Sequence, residues 1–141
     1  MSERWRVPRE TGDNLAVARR AERLQRGELE ALVMDVLWDQ DGWLTPGDVH
    51  EITERHHPLA YTTVMTILVR LWNKGMVDRR QRGRAFAYHP IATRDEWAAL
   101  RMREFLSSAG DRAAALSHFV STMNPKELSA LRRVLDRRRR R

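Results

Sequence analysis

A chain of 141 residues forms one domain, or a small domain with an appendage, and is long enough to bury a real core. Its 26 basic and 19 acidic residues leave a net charge of +7, and the absence of cysteine excludes disulfides, thiolate chemistry and sulfur-ligated metals. No apolar run reaches membrane-spanning length and the first residues hold no continuous hydrophobic signal core, so a soluble cytoplasmic protein with no membrane partner is expected.

Residues 1–26 read as a basic leader of weak order, broken by Pro8, Gly12 and Asp13, with Leu15 to Leu24 as a short helix at most. From Glu28 to Asp39, Leu29, Leu32, Val33, Val36 and Leu37 recur at helical spacing opposite an acidic face, and Asp41-Gly42 ends the helix. Trp43-Leu44 is a short extended link. Thr45-Pro46-Gly47-Asp48 then supplies an N-cap hydroxyl, a proline at the first helical position and a carboxylate three residues after the cap. The helix it opens carries Val49, Ile52 and His56 before Pro58 closes it.

The third helix, Tyr61 to Asn73, has two unlike faces. At about 100° per residue Val64, Ile67, Leu68 and Leu71 share a narrow arc. Thr62, Thr63, Met65, Thr66, Arg70 and Asn73 occupy the other, which has no acidic residue. Small hydroxyls and one long cation suit close approach to phosphates and base edges; an ordinary threonine-rich amphipathic helix is the competing reading of this segment alone. Gly75 is a natural left-handed stop. Met76 to Gln81 and Ala85 to His89 alternate apolar with polar residues around a basic tip holding Arg82, Gly83 and Arg84, which predicts a β-hairpin. Three helices followed by a hairpin is the winged helix-turn-helix order, so residues 27–91 read as a DNA-binding domain.

Residues 92–136 read as a helical dimerisation module. Thr93-Arg-Asp-Glu96 opens a helix with Trp97, Leu100, Phe105 and Leu106; a second segment holds Leu116 and Phe119; Asn124-Pro-Lys-Glu127 opens a third with Leu128, Leu131, Val134 and Leu135. Three thin amphipathic helices cannot cover their own apolar faces, and pairing with a second copy solves that. Arg137 to Arg141 form an arginine tail. The predicted fold class is therefore mainly α with a small β-hairpin.

Charge follows the same division. Residues 27–54 contain eight acidic and no basic residues, whereas 55–92 contain seven basic residues against Asp78 alone. The positive field begins near the threonine-rich helix, which points to a polyanionic partner. The five histidines lack ligand spacing, and no acid, base and nucleophile can be assembled, so no metal, no cofactor and no catalytic activity are expected. A non-repressor nucleic-acid-binding protein, either architectural or RNA-binding, stays open on these grounds.

With the string Tyr61-Thr-Thr-Val-Met-Thr-Ile-Leu-Val-Arg-Leu71, the following Lys74-Gly75, the hairpin and the C-terminal helices in place, the chain resembles the penicillinase repressor family (BlaI/MecI, related to the CopY repressors) from about Gly27 to Leu135. The resemblance implies a homodimer that binds a palindromic double-stranded DNA operator and blocks transcription of a beta-lactam-resistance or stress-response gene. Carried over, Thr62, Thr63, Met65, Thr66 and Arg70 would face DNA, with Arg82 and Arg84 on the backbone. Antibiotic-responsive members are inactivated by a sensor-linked protease at an Asn-Phe bond; the corresponding pair here is His118-Phe119, which departs from that pattern. The copper-sensing branch uses paired cysteines, and this chain has none.

Overall fold

The capping box at Thr45 forms as its residues require. In the computed structural model, which describes residues 12–141 with side chains from 25 onward, Asp48 N–H donates to Thr45 Oγ1 at 3.2 Å and Thr45 N–H donates to Asp48 Oδ2 at 2.9 Å. That reciprocal pair satisfies two backbone donors at the start of α2 (Pro46–Glu54). Helix α2 ends at Glu54, so His56 lies beyond it in an exposed turn rather than on the helix.

The preceding helix α1 (Gly12–Asp39) is longer than its apolar periodicity, because the segment expected to be a weakly ordered leader is helical from Gly12 and continuous with it. Residues 1–11 lie outside those described. Its buried face is also rotated from the expected stripe. Glu30, Val33, Met34 and Leu37 are buried, at spacings of three, four and seven, while Leu29, Leu32 and Val36 are only half-buried.

Helix α3 (Tyr61–Asn73) seats the expected four side chains: Val64, Ile67, Leu68 and Leu71 are all sealed. Each contributes about 1.5–3 kcal/mol by leaving water, which makes this arc the centre of the three-helix core. Gly75 takes φ +75 and turns the chain out of the helix. Strands β1 (Val77–Arg82) and β2 (Ala85–Pro90) pair antiparallel with Arg82 opposite Ala85. Gly83 takes φ +65 in the two-residue turn between them. Leu44 bridges Tyr88 through two backbone hydrogen bonds of 2.9 and 2.7 Å, so the link before α2 becomes a one-residue third strand.

By compactness the chain divides into residues up to Ala98 and residues from Ala99 onward. The first unit includes the opening turn of α4 (Arg94–Ser107), where Glu96 N–H donates to Thr93 Oγ1. Arg94 there pairs with Asp35 at 2.8 Å and Asp39 at 3.3 Å on α1, and Trp38 Nε1 donates to Ala92 O at 3.0 Å. The second unit holds the rest of α4, then α5 (Arg112–Ser121), capped by Asp111, and α6 (Pro125–Arg139), which has a complete Asn124/Glu127 capping box. No side chain of α5 or α6 is buried. Arg137, Arg138 and Arg139 form the last turn of α6, so most of the expected arginine tail is helical, where cations complement the negative end of the helix dipole.

Candidate nucleic-acid interface

Because the apolar arc of α3 is consumed by the core, its opposite arc must face outward. Thr62, Met65 and Thr66 are exposed and Thr63 and Arg70 are half-buried at its edges. Thr66 Oγ1–H donates to the Thr62 carbonyl at 2.9 Å. Its proton is thereby used inside the helix, leaving a methyl group and oxygen lone pairs to meet a ligand. Val69 was not among the expected outward residues, yet it is 39% exposed beside Met65 at 42%. The reading surface is therefore more apolar than the threonines suggest, and it suits thymine methyl groups as well as polar base edges. No carboxylate lies on α3, and its N-cap, Ala60, offers no side-chain acceptor, so the first-turn N–H groups remain open to phosphate oxygens.

The hairpin tip supplies the second half of the surface. Arg82 and Arg84 are both exposed, and neither forms an ion pair among the described residues. Arg79 and Arg80, one strand turn back, behave differently. The Arg79 guanidinium carbon lies 3.7 Å from the Trp72 ring centroid and 4.2 Å from that of Phe86. Arg80 sits 4.5 Å over Trp43, whose ring stacks on His89 with centroids 5.3 Å apart. None of these six residues was picked out by sequence reasoning as part of the site. The signal was the pairing of a tryptophan at the end of α3 with arginines and aromatics alternating in the strands.

Of the residues expected at a dimer contact, Phe105, Leu116, Phe119 and Leu135 are about half exposed and Leu100, Leu128 and Leu131 are intermediate. Trp97 is 6% exposed within the single chain, so it has little surface left for a partner. Met102 and Val134 are exposed as well. His118 and Phe119 both lie on α5 with their side chains at the surface. Among the described residues no group of His, Asp and Glu could hold a metal ion, and no helix is long and apolar enough to cross a membrane.

The penicillinase repressor family model matches residues 26–137, most of the chain. The chain belongs to the penicillinase repressor family. A transcriptional regulator BlaI from Mycobacterium tuberculosis is 45% identical over 112 residues, covering 77% of this chain and 81% of that protein. Among solved structures, the DNA-binding domain of the repressor BlaI is 26% identical, with a TM-score of 0.45 over 49% of this chain and 83% of that one. The monomeric form of Bacillus licheniformis BlaI, solved with the blaP half-operator, is 27% identical with a TM-score of 0.41, covering 48% and 80%. In this chain the winged helix is followed by a helical C-terminal segment, and the family match runs through both.

Proposed function

We propose that this member of the family is a sequence-specific transcriptional repressor that acts in the cytoplasm as a homodimer on a palindromic operator, with no catalytic role. One observation carries the reading: within a single folded unit, a carboxylate-free recognition face on α3 stands beside a wing whose tip arginines form no ion pair among the described residues. Helix α3 enters the major groove, where Thr62, Thr63, Met65, Thr66 and Arg70 meet base edges and phosphates. Arg82 and Arg84 hold the flanking backbone. The half-exposed Phe105, Leu116, Phe119 and Leu135 support pairing through the C-terminal helices, since one chain leaves them wet. Proteolytic relief at His118-Phe119 by a sensor-linked protease would require α5 to unwind first, because a helical backbone does not fit an extended substrate cleft.

The test is footprinting of the purified protein on the promoter region upstream of its own gene, at several salt concentrations. Two protected half-sites about one helical turn apart, resistant to competitor DNA, are expected. Diffuse protection that vanishes with modest salt would move an architectural or RNA-binding role ahead.

A further inference from the structure

The wing is gripped on both faces by cation–aromatic stacks. Successive residues of a strand point to opposite faces, so Arg79 and Arg80 necessarily serve different sides of the hairpin. On one side Arg79 lies between Trp72, in the last turn of α3, and Phe86 of β2, its diagonal neighbour across the ladder, two residues before its direct partner Tyr88. On the other, Arg80 covers Trp43, Trp43 covers His89, and His89 Nδ1 donates to the Gly42 carbonyl at 3.0 Å. The four wing arginines thus fall into two classes: 79 and 80 are held by aromatic rings, whereas 82 and 84 project from the tip.

We propose that Arg79 is a positioning residue for operator binding: it fixes the angle between the recognition helix and the wing so that Arg82 and Arg84 reach phosphate while α3 is seated in the groove. The inference rests on the repressor reading above and deepens it. A two-stranded hairpin is only marginally stable alone, so its direction is set by what it touches at its base. Arg82 lies three residue steps beyond Arg79, a lever of about 10 Å, so a tilt of ~15° moves the tip by about 2.5 Å, enough to break a hydrogen bond. Trp72 belongs to α3 and Phe86 to β2, so the guanidinium between them adds a side-chain link from helix to wing, outside the core contacts of Val77, Ala87 and Tyr88 that anchor the base of the hairpin. Arginine is required because its flat cation presents two faces to two rings; a lysine ammonium keeps the charge but is a compact point that cannot fill the gap between both.

The charge-conserving change is therefore the discriminating one. Operator affinity is measured across a salt series, on the fragment that the parent protects, for the parent, R79K, the tip variant R82A/R84A and the three changes combined. R79K is expected to bind about tenfold more weakly and to lower the salt slope by about two, matching the tip variant, with no further loss when the changes are combined. Parent-like binding by R79K, or a loss that adds in full to that of the tip variant, would overturn the proposal. Thermal unfolding of R79K checks that the fold survives. If it does not, Phe86→Leu, which removes one ring of the sandwich and keeps apolar bulk, must show the same non-additivity for the proposal to stand. A parent protein that protects no discrete site would overturn the repressor reading itself, an outcome distinct from specific binding with an additive cycle.

Discussion

Lys74 Nζ lies 2.8 Å from Glu30 Oε2, joining the residue just after the recognition helix to the buried face of α1. Glu30 is 2% exposed, whereas the Lys74 side chain keeps 34% of its surface. The two ends of the bond are therefore unequal. A carboxylate sealed in the core depends on its partner, while a lysine at the rim can turn to water. Lys74→Ala is expected to destabilise the winged helix by about 3 kcal/mol, because it strands the buried charge. Glu30→Gln, which keeps an acceptor and removes the charge, should cost about 1 kcal/mol. Chemical denaturation of the two variants checks the asymmetry; equal losses would mean that the contact itself, and not the burial of Glu30, sets the energy.

Arg70 is the long cation at the edge of the outward arc of α3, and it has no ion pair among the described residues. Its charge is available to DNA without first breaking an internal bond. Arg70→Ala should weaken operator binding by ~1–3 kcal/mol at fixed salt while leaving the unfolding midpoint unchanged. Titrations that gave parent-like affinity would remove Arg70 from the interface.

The hydroxyl of Thr66 is committed to the Thr62 carbonyl, which leaves its methyl group as the main feature turned outward. Thr66→Val keeps that methyl and the β-branched shape, whereas Thr66→Ser keeps only the hydroxyl. Operator affinity is expected to fall more for Ser than for Val, by about 1 kcal/mol if the methyl meets a thymine. The reverse order would show that the oxygen accepts a hydrogen bond from a base amino group.

Some of this architecture was legible because a local rule and the tertiary environment agree. The start of α2 follows from Thr45, Pro46 and Asp48, and the buried arc of α3 follows from period alone, since no polar residue interrupts Val64, Ile67, Leu68 and Leu71. Helix α1 misled for a definite reason: Glu30 occupies the centre of its buried face, and a carboxylate there is intelligible only with Lys74 beside it, 44 positions along the chain. Apolar period alone gives no weight to Glu30 or to its side of the helix, and so centres the stripe nearer Leu29 and Leu32. The wing stacks were hidden in the same way, because Trp43, Trp72 and Phe86 find their arginines across elements and not within one. Trp97 falls on the helical period of the residues expected to face a partner, but it is 6% exposed within one chain, close after the Arg94 contacts to Asp35 and Asp39 that tie the first turn of α4 to α1.

That placement separates two hydrophobic residues of the C-terminal helices by experiment. Leu135 on α6 is half exposed and outside the buried core, so an aspartate there costs little within one chain and acts chiefly on what covers the residue in an assembly. Leu135→Asp is expected to sediment as a monomer with the unfolding midpoint of its winged helix unchanged. Trp97→Ala should do the opposite, removing a covered indole at a cost of about 3 kcal/mol to the first unit while leaving the sedimentation coefficient of the folded protein as it was. A Leu135→Asp protein that stayed dimeric at low micromolar concentration would put the contact on another face, with Phe105 and Met102 of α4 the next exposed pair to test.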